Sequence, residues 1–156
     1  GLHPQADELG IGPRRSVVSG SSAGAHLAAM VALPGWQQAA GLPADLVRAA
    51  VLVSGIYDLA PLVGTSIDIP LNLANSEVES MSPARATLDG FPRSLVCWGE
   101  VGTTGFKAQS RELANGRTQA GTTCTVREVP ARNHFDVVLD LADPTTDITR
   151  RVLSVL

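Results

Sequence analysis

The fold of this chain is decided by one stretch near its start, Ser16-Val17-Val18-Ser19-Gly20-Ser21-Ser22-Ala23-Gly24-Ala25-His26-Leu27-Ala28-Ala29. It contains the pattern G-x-S-x-G, with a β-branched run before it and helix formers after it. The sequence therefore predicts a strand over 16–19, a tight turn and a helix over 23–33. A serine at the apex of such a turn is the context in which the pattern marks a nucleophile. We predict Ser22 as that nucleophile; the alternative is a chance match in a chain rich in glycine and serine.

The glycines of the pattern have a steric explanation. Side chains two residues either side of Ser22 would collide across the turn, and Gly20 and Gly24 avoid this collision. Gly24 is also expected to let the helix pack closely on the strand. The helix points its amide dipoles toward Ser22, which predicts the Ala23 N–H as an oxyanion donor.

Strands alternate with helices along the rest of the chain, which predicts an α/β fold with a mostly parallel sheet flanked by helices. The further predicted strands are 49–54, 94–98 and an edge-like 124–129, and the further helices are 106–115, 137–142 and one opened by Pro144. Residues 61–80 are predicted to be irregular, and Ser82 is expected to cap a short helix. No linker or repeat interrupts this pattern, so we expect one domain over 1–156.

Composition limits the partners of the chain. Hydrophobic residues make up 44% and charged residues 17%, which is typical of a soluble globular protein. The net charge of −3 without a basic stripe argues against nucleic acid and anionic membranes, and no apolar run reaches the length of a membrane span. No signal peptide is visible, and Cys97 and Cys124 lack the spacing of a zinc site or a disulfide scaffold. We therefore expect a cytoplasmic protein with reduced thiols and no metal.

Further catalytic groups are expected at the carboxyl ends of the strands, where function gathers in parallel sheets. His134 shortly follows the last predicted strand, and the chain order Ser, acid, His predicts it as the general base; the alternative is a surface-loop histidine. The acid is expected after the third strand, where Glu100 is the only carboxylate. Glu100 is therefore the candidate acid, and a carboxylate that bonds local N–H groups explains this residue equally well.

Three other polar residues are expected to be structural. The helix carries His26 away from the Ser22 hydroxyl, so we expect it to pack or to cap. Asp58 follows a strand and is expected to cap the next turn. Asp136 is too near His134 in sequence to orient that ring from behind.

Four ordered blocks carry a resemblance to a known family. They are Gly20–Ala29, Val53–Leu62, Phe106–Leu113 and Asn133–Asp136. Together they resemble α/β-hydrolases of the arylformamidase (kynurenine formamidase) type, a branch that adjoins the hormone-sensitive-lipase-like esterases. The resemblance implies hydrolysis of an N-formyl amide such as N-formylkynurenine, or of small esters, through an acyl-enzyme and with no metal or cofactor. It also implies Ser22 as nucleophile, His134 as general base and acid, and the Ala23 amide as one oxyanion donor.

The chain departs from the family pattern in two places. Gly102 stands where family members carry the Asp or Glu of the triad, and loss of the carboxylate that fixes the histidine tautomer can cost about four orders of magnitude in rate. The family also places an H-G-G-x-W type segment, which supplies further oxyanion donors, well upstream of the serine. We therefore expect this chain to be the C-terminal part of the fold, with the first strands of the sheet missing. Val17 and Val18 are then expected on an unpaired apolar edge that favours self-association.

These observations predict a serine hydrolase that takes a small-molecule ester or N-formyl amide. The alternatives are a carboxylesterase for small esters and a non-catalytic hydrolase-fold protein that serves as a binding module or subunit.

Overall fold

The centre of the molecule is one parallel sheet in the computed structural model, which describes residues 5–6, 8–10, 12 and 16–155. The strands are β1 (Ser16–Ser21), β2 (Val47–Val53), β3 (Arg93–Gly99) and β4 (Cys124–Val129), and each pairs in parallel with the next. The predicted α/β fold with a parallel sheet is confirmed. The first four residues of the expected domain over 1–156 lie outside the described residues.

Helices connect the strands. They are α1 (Ala23–Ala32), α2 (Trp36–Ala39), α3 (Asp68–Leu71), α4 (Asn75–Ser80), α5 (Thr104–Gln119) and α6 (Asp147–Val155). Short 3-10 turns lie at Ala60–Leu62, Pro83–Arg85 and Val137–Ala142, so the last of these is not the α-helix predicted over 137–142. Helix α5 runs past Gly116, where a Cβ would lie 3.2 Å from Leu88 Cδ1; the glycine allows close packing there.

The prediction of an irregular segment over 61–80 is wrong in part, because two short helices, α3 and α4, lie within it and acidic side chains hold the adjoining loops. Asp68 at the start of α3 accepts hydrogen bonds from the amides of Gly64 and Leu73, each at 2.9 Å. Glu77 in α4 accepts one from the Ala74 amide at 2.9 Å. These hydrogen bonds fix the loop backbone on both sides of α3 and just before α4.

Ser82 does not cap a helix as predicted. Its hydroxyl oxygen instead accepts a hydrogen bond of 2.9 Å from the Leu59 amide, across 23 residues of sequence. Ser82 therefore ties the start of the 3-10 turn at Pro83–Arg85 to the loop that leaves β2.

Two apolar clusters cover the two faces of the sheet. Successive side chains of β2 alternate between them, since Ala50 and Leu52 belong to one cluster while Val51 and Val53 belong to the other. Helices α1 and α5 pack on the first face, and α6 with the 3-10 turn at Val137–Ala142 packs on the second. With both faces covered, the central strands read as continuous apolar runs, as parallel sheets do.

Strand β1 forms one edge of the described sheet, because β2 is its only described neighbour. A groove lies along this edge between β1 and α1. It is lined by Val17, Val18, Ser19, Gly24, Leu27, Ala28 and Val31. The Leu27 side chain is 64% exposed there. Self-association through this edge stays a prediction.

The described residues contain no helix long and apolar enough to cross a membrane. In the same part of the chain, no cluster of three or more His, Cys, Asp or Glu side chains has a geometry that could hold a metal ion.

Candidate active site

Ser22 occupies a sharp turn between β1 and α1. Its backbone has φ 57° and ψ −120°, a conformation that a residue with a side chain rarely adopts. The turn is held by the Ser22 amide, which donates to Val53 O at 2.9 Å, and by the Ser22 carbonyl, which accepts from the Ala25 amide at 3.0 Å. Strained backbone that is held so firmly from both sides is typical of functional sites.

The two glycines of the pattern behave differently from each other. A Cβ at Gly20 would lie 2.7 Å from Ala25 N and nearer still to the Gly24 carbonyl, so glycine is required there, as predicted. A Cβ at Gly24 would meet nothing within 4 Å. The prediction that Gly24 relieves a collision and allows close helix packing is therefore wrong, because this position faces the groove beside β1.

The structure brings Ser22 and His134 together across 112 residues of sequence. The Ser22 hydroxyl oxygen lies 3.0 Å from His134 Nε2, which is hydrogen-bonding distance. His134 Nδ1 is buried and has no hydrogen-bond partner among the described residues. Burial lowers the pKa of the His134 ring from its usual 6.5, so the imidazole is neutral at pH 7 and can accept a proton.

The loop that carries His134 is tied to the end of β3. The Val101 amide donates to Arg132 O at 2.8 Å, and the Glu100 amide donates to Val129 O at 2.9 Å. Gly99 makes this approach possible, because a Cβ there would lie 2.7 Å from Asn133 O and nearer still to the Arg132 carbonyl. The position of Gly99 at a strand end is the only signal in the sequence for this role.

Asn133 and Asp136 lock the turn around His134. The Asp136 carboxylate accepts from the Asn133 amide at 2.6 Å, and the Asn133 side-chain oxygen accepts from the Phe135 amide at 2.7 Å. Asp136 is thus bonded to Asn133, in agreement with the expectation that it does not orient the histidine ring. Its role is to shape the backbone that presents that ring.

Glu100, the candidate acid, is not brought to His134. Its carboxylate accepts a hydrogen bond of 2.9 Å from the amide of Ala131, a residue in the left-handed region at φ 56°. The structure thus shows the second of the two explanations that the sequence left open, a carboxylate that bonds a local N–H. The physical reason is that Glu100 lies at the end of β3, where the turn after β4 presents an amide to it.

Two aromatic rings flank the His134 ring. The Phe106 ring lies on it with 4.1 Å between centroids and 34° between planes, and the Phe135 ring stands edge-on at 5.2 Å. Phe106 is half-buried, whereas Phe135 is 83% exposed. The contact between Phe106 and His134 was not predicted, because nothing in the spacing of these residues indicates it.

Comparisons with known proteins identify the family to which the chain belongs. Residues 1–137 match the family described as having the alpha/beta hydrolase fold. The chain belongs to the α/β-hydrolase fold family.

Individual relatives of this α/β-hydrolase chain are enzymes by name. The kynurenine formamidase of Danio rerio is 32% identical over 162 residues, which cover 92% of this chain and 55% of that protein. The solved structure of a putative thioesterase from Silicibacter sp. TM1040 has a TM-score of 0.75 at 24% identity, covering 94% of this chain and 53% of its own. Esterase LipW from Mycobacterium marinum has a TM-score of 0.71 at 26% identity, covering 97% and 50%. The chain thus spans about half the length of these relatives.

Gly102 lies just after β3, at the position where the resemblance to arylformamidases places the carboxylate of the triad. Its amide donates to Gly99 O at 3.2 Å. A Cβ at this position would lie 3.1 Å from Gly99 O and 4.0 Å from Lys107 Cε, so a side chain is accommodated after a small adjustment. The backbone at Gly102 does not have a positive φ, and an aspartate is therefore sterically acceptable there.

The Ala23 amide, the expected oxyanion donor, is in the first turn of α1. Amides of a first helical turn have no acceptor within the helix and form the positive end of its dipole. The Ser22 side chain makes no cap to this turn. The Ala25 and His26 amides donate to the Ser22 carbonyl, at 3.0 and 3.2 Å, and the role of the Ala23 amide as an oxyanion donor stays a prediction.

Asp58 and His26 have the structural places expected of them. Asp58 accepts from the Ala60 amide at 2.9 Å and pairs with Arg85 at 3.0 Å. Burial works against the charged form, but these hydrogen bonds outweigh it and lower the pKa of Asp58. His26 Nε2 lies 2.7 Å from Met81 O, which ties α1 to the end of α4. Neither side chain forms a hydrogen bond with Ser22 or His134 in the described part of the molecule.

Proposed function

We propose that this chain carries the nucleophile and general base of a serine hydrolase that cleaves small esters or N-formyl amides. One observation carries the proposal: Ser22 Oγ lies 3.0 Å from His134 Nε2 at the apex of a strained strand-to-helix turn. A serine becomes a strong nucleophile when a neutral histidine accepts its proton. The lowered pKa of His134 keeps that ring neutral at pH 7.

The reaction follows from these positions. His134 Nε2 takes the hydroxyl proton while Ser22 Oγ attacks the substrate carbonyl carbon, and the carbonyl oxygen becomes an oxyanion. The Ala23 amide and the positive end of the α1 dipole stabilise this negative charge. The imidazolium then returns the proton to the leaving amine or alcohol, which departs and leaves an acyl-enzyme on Ser22. Water, deprotonated by His134, hydrolyses that ester and restores the serine.

The substrate class is supported by the relatives and narrowed by the site. A kynurenine formamidase and an esterase are among the relatives, which supports a small acyl group on nitrogen or oxygen. An amide nitrogen must receive a proton as it leaves, whereas an aryl alcohol leaves with less help. Because His134 Nδ1 has no hydrogen-bond partner among the described residues to stabilise the imidazolium, we expect aryl esters to be cleaved faster than formamides.

A second candidate is a non-catalytic hydrolase-fold module, which one observation favours. The buried His134 Nδ1 has no hydrogen-bond partner in the described structure, so no group fixes the ring tautomer. The two candidates differ in whether Ser22 forms a covalent intermediate.

Hydrolysis by matched serine variants tests the proposal. The purified chain is assayed with 4-nitrophenyl acetate and with N-formylkynurenine, alongside Ser22→Ala, His134→Gln and the control Ser21→Ala. We expect Ser22→Ala to reduce turnover to the uncatalysed background, while Ser21→Ala, one residue away on β1, retains it. Equal turnover by Ser22→Ala and the unchanged chain would refute the proposal.

We also propose a cytoplasmic location. The support is that Cys97 and Cys124 are both free thiols, as is usual for proteins of a reducing compartment.

A further inference from the structure

The His134 ring has no charged hydrogen-bond partner among the described residues. The two carboxylates that the sequence offered as partners for this ring are bonded elsewhere, Glu100 to the Ala131 amide and Asp136 to Asn133. On α5, the Lys107 ammonium pairs with the Glu128 carboxylate at 3.1 Å. Burial is the one effect that displaces the pKa of His134, with no contribution from a neighbouring charge. The orientation of this ring therefore depends on uncharged contacts.

Phe106 supplies the closest of these contacts. Its ring centroid lies 4.1 Å from the His134 centroid, so the two faces touch, and the planes are tilted by 34°. A stack of this kind restricts rotation of the imidazole about its own axis. The face of a benzene ring also carries partial negative charge, which attracts a cation within about 6 Å of its centroid.

Helix α5 holds Phe106 firmly in place. Three residues further along the helix, Gln109 accepts hydrogen bonds from the amides of Tyr57 at 2.6 Å and Asp58 at 2.9 Å. The next residue, Ser110, is fully buried. These contacts anchor the first half of α5, the helix that carries Phe106, to the loop after β2.

We propose that Phe106 is a positioning residue, which holds the His134 ring with Nε2 toward Ser22 and stabilises the imidazolium that forms when His134 takes the serine proton. This inference rests on the proposed function and adds to it a residue outside the Ser-His pair. Phe106 thereby performs part of the task that a carboxylate on Nδ1 performs in a triad. A cation over an aromatic face is stabilised enough to change a rate by about 2- to 30-fold, depending on its exposure to solvent. Phe106 therefore compensates only in part for a missing carboxylate.

The test compares Phe106→Leu and Phe106→Tyr with the matched control Phe91→Leu. Phe91 is buried under the Arg117 guanidinium and precedes β3, whereas the site lies at the other end of that strand, so its substitution reports general destabilisation. The pKa of His134 is measured by nuclear magnetic resonance titration of its ring Cε1–H signal, assigned by its absence in His134→Gln. The values of kcat and KM are measured separately as a function of pH for the same variants with 4-nitrophenyl acetate.

In Phe106→Leu we expect the pKa of His134 to fall further below that of the unchanged chain, and kcat to fall about 3- to 30-fold with little change in KM. Phe106→Tyr keeps the aromatic face and is expected to restore both values, and Phe91→Leu is expected to leave the pKa of His134 where it was. An unchanged pKa and unchanged kcat in Phe106→Leu would overturn the inference, as would an equal loss in Phe91→Leu. The titration needs no turnover. A lowered pKa in a chain without hydrolase activity would therefore support the stacking role while refuting the proposed function.

Discussion

A methyl group added at Gly20 and the same group added at Gly24 are expected to have opposite effects. The Cβ of Gly20→Ala would lie 2.7 Å from Ala25 N and nearer still to the Gly24 carbonyl, whereas contacts of real Cβ atoms stay above 3.0 Å. Both neighbours are backbone atoms of the turn that carries Ser22, so no side chain can rotate away. The turn itself must open.

The size of both effects follows from the geometry. Opening the turn costs about 3 kcal/mol of unfolding free energy, the upper part of the range for overpacked sites. For a chain of this length that is a loss of about 6–12 °C in Tm. Relieving the overlap moves the backbone by about 1 Å, and a misplacement of that size costs about 100-fold in rate. The Cβ of Gly24→Ala meets open space, and replacing a helical glycine is expected to raise the unfolding free energy by about 0.4–1 kcal/mol.

Two measurements on each variant check this reasoning. Thermal unfolding followed by circular dichroism gives Tm, and hydrolysis of 4-nitrophenyl acetate gives kcat/KM. We expect Gly20→Ala to lose both stability and rate, and Gly24→Ala to keep the rate with a slightly raised Tm. If Gly24→Ala lost as much as Gly20→Ala, or if Gly20→Ala lost nothing, the steric account of this turn would be refuted.

Four further predictions concern the groups around His134 and the sheet edge. Gly102→Asp is expected to raise kcat/KM about tenfold or more by placing a carboxylate near the histidine, with Gly102→Asn as the control that should gain less. Glu100→Gln keeps an acceptor oxygen for the turn and is expected to hold kcat/KM within about threefold. Glu100→Ala removes one hydrogen bond and is expected to lower the unfolding free energy, measured in urea, by about 1 kcal/mol. A loss of kcat/KM larger than threefold in Glu100→Gln would contradict this prediction. Because burial lowers the pKa of His134, kcat/KM is expected to be flat above pH 6.5 and to fall as the pH drops through that lowered pKa. A fall in kcat/KM that begins above pH 6.5 would contradict the role of His134 as the general base. We propose self-association through β1, so Val18→Lys is expected to reduce the mass measured by light scattering, while Val126→Lys on β4 should leave it unchanged.

The fold could be predicted from the sequence because its central strands are buried on both faces. Runs such as 49–54 and 94–98 are continuously apolar, and this pattern indicates a parallel sheet regardless of any loop. The approach of Ser22 to His134 could also be predicted from the sequence, since both residues follow strands whose carboxyl ends meet at one edge of the sheet.

The details of the site could not be predicted, because they depend on how loops cross one another. The turn after β4 decides whether Glu100 reaches His134 or the Ala131 amide. The sequence around Glu100 does not indicate the conformation of that turn. The stack of Phe106 on His134 likewise depends on where α5 starts relative to β4. Gly24 was misjudged for a similar reason: the pattern shows that a glycine is present, and only the structure shows which side of the helix it faces.

The most direct test of the central claim is covalent labelling of Ser22. The folded chain is treated with a fluorophosphonate, which reacts with activated serines, and the modified peptide is identified by mass spectrometry, with Ser22→Ala and His134→Gln treated in parallel. The account predicts one adduct on Ser22, its absence in Ser22→Ala and much slower labelling in His134→Gln. A folded chain that takes up no label at Ser22, or labels equally fast without His134, would contradict it.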